Sequence, residues 1–146
     1  MGYTHYWYRP KELDAEKFMA YAADCKKIYD DGVLNVGLDG DIEGPPIFDE
    51  KMIFFNGEHG ESCESFYMPR EIFYAPRESE GNDKLYFQFC KTRRHPYDTM
   101  VQMCLIALKH HFVAVVIKSD GDNDEWQAAR ELCQKHLGYG ADFVLE

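Results

Sequence analysis

Leu85-Tyr86-Phe87-Gln88-Phe89-Cys90-Lys91-Thr92-Arg93-Arg94-His95-Pro96-Tyr97-Asp98 carries two periodicities back to back. Leu85, Phe87 and Phe89 alternate with Tyr86, Gln88 and Cys90, the period of a strand with one buried face. From Pro96 the pattern changes. Tyr97, Met100, Val101, Cys104, Leu105 and Leu108 recur at spacings of three and four, and Pro96 suits the first position of a helix because it has no amide to satisfy there. A strand handing directly to a helix sets the fold class, and the rest of the chain repeats both patterns.

Tyr3 to Tyr8 reads as a strand stopped by Pro10, with Tyr3, His5 and Trp7 on one face. A helix follows, with Asp14 as N-cap and Leu13 and Phe18 as a hydrophobic staple. Phe18, Tyr21, Ala22, Cys25, Ile28 and Tyr29 form its stripe, and Asp31-Gly32 ends it. Val33–Leu38, Lys51–Phe55 and Glu64–Met68 are expected as strands, the first two joined by an acidic surface loop. Asn56-Gly57 is a turn, Ile72–Tyr74 a short strand or a continuation, and Pro76–Asp83 a polar turn region. The apolar run Phe112–Ile117 predicts a central strand. A third helix is expected over Asp124–His136 and a short final strand over Asp142–Leu145. The order β-α-β-β-β-β-α-β-α-β predicts one α+β domain over residues 1–146. Its architecture would be a single twisted sheet, mainly antiparallel or mixed, with about three packed helices.

Composition narrows the partners. Lys and Arg number 16 against 26 Asp and Glu, a formal net charge of -10. That balance speaks against extended nucleic acid and against anionic membrane surfaces, both of which need broad positive fields. No apolar run approaches the roughly 18–20 residues of a membrane span, and strand-like residues begin at Tyr3, so no targeting segment is expected. Five cysteines, an odd number without a CxxC pair, point to a reducing cytoplasmic setting.

The basic residues that do occur crowd one place. Lys91, Arg93 and Arg94 with the Thr92 hydroxyl are candidates to hold a compact anion, since guanidinium groups bind carboxylate and phosphate bidentately. Strand alternation puts Lys91 and Arg93 on one side, and Thr92 and Arg94 on the other. Asp98, in the first helical turn, complements the helix dipole or steadies an arginine. Tyr6, Trp7 or Tyr97 would stack on a base if the anion is a nucleotide. His5, between aromatics, is a candidate ligand contact or acid/base, with His95 as a second.

No cofactor and no metal is implied. His59, Glu61, Cys63 and Glu64 lack the second half of a zinc site. Asp120–Asp124 with Glu131 resembles a calcium loop, but Glu125 stands where that loop needs glycine, and Asp122 with Glu125 reads better as a helix cap. Cys90 lies among cations that would lower a thiol pKa, yet a Cys ending a strand reads better as structural. Neither G-x-G-x-x-G nor a P-loop occurs.

Met1-Gly2-Tyr3-Thr4-His5-Tyr6-Trp7, Phe55-Asn56-Gly57, and Phe89-Cys90-Lys91-Thr92 with Pro96-Tyr97-Asp98 stand out as a set. Over most of its length the chain resembles a family of small uncharacterised bacterial and bacteriophage proteins that share these landmarks. The resemblance implies a bacterial or phage cytoplasmic setting and assigns no catalytic residue. Three functions follow as expectations. The first is a binding protein for a compact anionic ligand, with a nucleotide as the candidate, which in a phage would sequester a signal used in host defence. The second is a metal-independent hydrolase or transferase acting on a phosphorylated ligand. The third is an acidic interaction module that docks a basic host protein.

Overall fold

The computed structural model describes residues 2–40, 42–73 and 85–146. Tyr74 and the polar turn expected at Pro76–Asp83 lie outside the described residues. In chain order the elements are β1 (Thr4–Arg9), α1 (Ala15–Asp30), β2 (Ile47–Phe48), β3 (Met52–Phe55) and β4 (Phe66–Pro69), then β5 (Tyr86–Lys91), α2 (Asp98–His111), β6 (Val116–Ser119) and α3 (Gln127–Leu137). Helices and antiparallel strands make an α+β fold, as the sequence pattern predicts.

The strands divide between two three-stranded sheets, ordered β5-β1-β6 and β2-β3-β4, where the sequence led us to expect one. β1 is the reason. It pairs antiparallel with β5 on one side and with β6 on the other, so its edges are used and the β2-β3-β4 meander pairs within itself. Arg9, at the end of β1 and fully buried, ties the two sheets together. Its guanidinium donates to the carbonyls of Pro69 and Arg70, the latter at 2.9 Å, and its Nε to Pro10 at 3.0 Å. Backbone carbonyls thus cradle a charge that would be costly to bury without partners.

α2 is the centre of the core. Every residue from Met100 to Leu108 is buried, so this helix is covered on all sides, and it packs against α1 and α3. The Asp14 side chain accepts from the Lys17 amide at 3.0 Å, the expected cap of α1, and the stripe from Phe18 to Ile28 is buried. The inner face of the first sheet, His5, Trp7, Gln88, Cys90 and Ile117, closes onto this core.

Several boundaries differ from the sequence pattern. The run Phe112–Ile117 is not a central strand. α2 continues to His111, and Lys109 Nζ donates to the carbonyls of Val113 and Val115 at 2.8 and 2.7 Å, holding a turn there. Strand pairing starts only at Val116, at the edge of the sheet. Val33–Leu38 makes one bridge, Gly37 to Asn56, and Asp142–Leu145 forms no strand. α2 begins at Asp98 because Pro96 sits within a turn closed by the Asp98 amide on the His95 carbonyl at 2.8 Å. α3 begins at Gln127, after a turn in which Asp122 accepts from the Glu125 amide at 2.9 Å.

Candidate functional site

The connection from β5 to α2 is a tight turn of unusual composition. The His95 amide donates to the Thr92 carbonyl at 3.1 Å, and the two residues between them, Arg93 and Arg94, have φ of 56° and 59°. A four-residue turn with both central residues at positive φ follows the type I′ pattern, which favours Asn-Gly or Asp-Gly. Two arginines in the left-handed region cost on the order of 1–3 kcal/mol each. Among the described residues they are the only non-glycine positions with positive φ.

The surrounding structure holds the turn in place. The amides of Thr92 and Arg93 both donate to the Tyr3 carbonyl, at 3.0 and 3.3 Å. The Arg94 guanidinium lies 4.0 Å above the Tyr3 ring and meets Glu125 at 3.1 Å. Lys91 and Arg93 point to solvent and carry no ion pair among the described residues. His95 Nδ1 is buried without a hydrogen-bond partner there.

Beneath the turn lies a polar network. The Asp98 carboxylate accepts from His5 Nε2 at 2.6 Å, from Gln102 Nε2 at 2.7 Å and from the Thr92 hydroxyl. His5 is fully buried, and its Nδ1 is 2.7 Å from Ser119 Oγ. Ser119 Oγ accepts from the Gly121 amide at 2.9 Å and from Trp126 Nε1 at 3.3 Å. Since the Asp98 carboxylate accepts, His5 places its Nε2–H toward Asp98, and Nδ1 is the ring atom that faces the Ser119 hydroxyl. The rings of Tyr3 and Trp126 flank the imidazole edge-on at 5.1 and 5.0 Å. Tyr3 itself is pushed up to about 12 by burial first, then by the Asp98 charge, with its hydroxyl in reach of Ser119 and Glu125. A Cβ at Gly121 would fall 2.1 Å from that hydroxyl, so only glycine fits.

The candidate residues therefore separate. Lys91, Arg93 and Arg94 are at the surface, whereas His5 and Thr92 are inside, joined through Asp98. Trp7 is buried, with Nε1 donating to Gln88 at 3.0 Å, and Tyr97 is buried, with its hydroxyl donating to the Glu64 carbonyl at 2.6 Å. Neither ring face is open to a base. Of the three stacking candidates, Tyr6 alone points outward, its hydroxyl donating to Asp120 at 2.8 Å. Cys90 is buried, and burial pushes its thiol well up, away from the thiolate a nucleophile needs.

Sequence reasoning missed Ser119 and Gln102. Gln102 stands one helical turn after Asp98, a spacing that places both on one face. Nothing local marks Ser119, which reaches His5 only through the β1–β6 pairing. The landmark Asn56-Gly57 also acquires a role. Asn56 is buried, donates to the Cys63 carbonyl at 2.8 Å and accepts from the Gly57 amide at 2.7 Å, while a Cβ at Gly57 would collide with the Glu61 carbonyl at 2.2 Å.

No family model, curated protein or solved structure matches the chain. Among the described residues no helix is long and apolar enough to cross a membrane.

Proposed function

We propose that this chain is a small binding protein for a compact anionic ligand, held at the β5–α2 turn by Lys91 and Arg93. One observation carries the reading: two consecutive arginines occupy the glycine-favouring positions of a tight turn. Residues that break local turn chemistry at a cost in stability belong where a function requires them. The net charge of -10 favours a small anion over a polyanion. A bacterial or phage setting, which rests on the resemblance, the cytoplasm, which rests on the cysteine usage and the resemblance, and the sequestering of a signal used in host defence, which rests on that setting and the anion chemistry, belong to this proposal too. Calorimetry with pyrophosphate tests the site. Saturable binding that weakens in Lys91→Ala and in Arg93→Asn is expected. No heat at millimolar pyrophosphate from folded protein would sink the proposal.

A second reading, a metal-independent hydrolase, is favoured by the Ser119–His5–Asp98 order of hydroxyl, imidazole and carboxylate. Hydrolysis of a p-nitrophenyl ester, lost in Ser119→Ala, is the expected result. Equal rates in the two proteins would exclude it.

A further inference from the structure

The inner face of the first sheet is packed, but its outer face is open and aromatic. Tyr6 and Tyr8 of β1 and Phe87 and Phe89 of β5 point outward, and Phe89 is 53% exposed. Their rings touch in a chain. Tyr6 and Phe87 lie 6.0 Å apart at 23°, Phe87 and Phe89 5.8 Å apart at 30°, and Tyr8 and Phe87 5.3 Å apart. Tyr6 and Phe87 are near-parallel and give a flat heterocycle a common direction in which to lie, while Tyr8 is tilted 49° from Phe87.

Register supplies the charge. Tyr6 is opposite Phe89 on one side and opposite Lys118 on the other, so Phe89, Tyr6 and Lys118 form a single row across the sheet. Lys91 stands two residues along β5 from Phe89, on the same outer face. Two exposed lysines therefore border the rings of an acidic chain, and Lys91 belongs to the anion site. Carboxylates stand at both sides of the face, Asp120 accepting from the Tyr6 hydroxyl at the β6 side and Glu64 from the Lys91 amide at 2.6 Å at the β5 edge, while the Lys91 and Lys118 ammonium groups carry no ion pair among the described residues.

We propose that this outer face is a stacking platform for the base of a nucleotide whose phosphate sits at Lys91 and Arg93, a proposal that rests on the anion-binding reading. Aromatic rings on a sheet bind bases of any sequence through their π-faces, and lysine supplies a point charge for the phosphate. This chemistry commits the face to a mononucleotide. A second copy of the chain would instead bury the rings against one another and leave the lysines facing.

The test is calorimetry on the full chain with pyrophosphate, a set of nucleoside diphosphates and adenosine, for the wild type and Phe89→Ser. Phe89 is exposed, so its replacement leaves the core intact. The expected result is nucleoside diphosphate binding about tenfold tighter than pyrophosphate, with Phe89→Ser removing that factor and leaving pyrophosphate unchanged. Equal affinity for the two ligands, or no effect of Phe89→Ser, overturns the platform and leaves the anion site standing. Adenosine binding that Phe89→Ser abolishes, with no pyrophosphate binding, upholds the platform and overturns the anion site. Sedimentation showing a dimer that Phe89→Ser dissolves overturns the platform in favour of a contact between copies.

Discussion

Arg93→Asn should make the protein more stable and a poorer anion binder at once. Arg93 sits at φ 56° and makes no ion pair among the described residues, so the substitution removes strain and loses no carboxylate partner. Asparagine tolerates the left-handed region because its short side chain bonds locally. The relief is about 1 kcal/mol, the low end of the cost of such a conformation. In a domain of this size that raises the melting temperature by about 2–4 °C. Arg94→Asn provides the contrast. It relieves similar strain but loses the contact with Tyr3 and the pair with Glu125, each worth up to about 1 kcal/mol at an exposed site, so it should be close to neutral. Arg93→Lys keeps both charge and strain and should keep wild-type stability. Thermal melts and pyrophosphate titrations of the three variants give the answer. Arg93→Asn should lose roughly tenfold in pyrophosphate affinity, the worth of one charged hydrogen bond. If it melts below the wild type, or binds pyrophosphate equally well, the argument from turn chemistry is refuted.

Other outcomes follow from the interior. Asp98→Asn turns an acceptor of three hydrogen bonds into a group that meets one of those donors with its own N–H, and should destabilise the fold by about 1–3 kcal/mol, read by urea denaturation. A loss below about 1 kcal/mol would mean that the network holds little. In native protein a thiol reagent should label Cys63 readily and Cys25, Cys90, Cys104 and Cys133 only after unfolding, because those four are buried. Rapid labelling of several thiols would contradict this packing. Tyr3 and Cys133 are both pushed up to about 12, each mainly by burial, from ordinary values of 10.0 and 9.0. Groups whose folded pKa is raised stabilise the fold fully below the unfolded value and lose that contribution as pH rises toward the folded one. Stability should therefore fall between about pH 9 and 12. A flat profile across that window would show that neither group is shielded.

Much of the frame was legible in the sequence because local patterns decided it. The alternation of β1 and β5, the Asp14 cap and the stripe of α1 depend on neighbours three or four residues away, and they appear as the patterns predict. The division into two sheets was not legible, since it depends on which strands claim the edges of β1 and on carbonyls gathered around Arg9 from the other sheet. Phe112–Ile117 misled because an apolar run does not show where a helix stops, and the Lys109 contacts that close the turn are specific to the folded chain. At the site, the split of Lys91 from Thr92 was readable from strand alternation. The pairing of His5 with Ser119 and Asp98 was not, because it joins residues more than ninety positions apart. The strained turn was half visible: Thr92-Arg93-Arg94-His95 contains no glycine or asparagine, so nothing in it announced a type I′ turn.

The central claim is that Lys91 and Arg93 hold an anion on the β5–α2 turn. Amide chemical shifts followed during a pyrophosphate titration test it most directly. The account predicts that the largest shifts fall on Lys91, Thr92, Arg93, Arg94 and His95 and saturate together. Shifts concentrated elsewhere, for example on the cleft lined by Lys109, His110 and Tyr139, would contradict it.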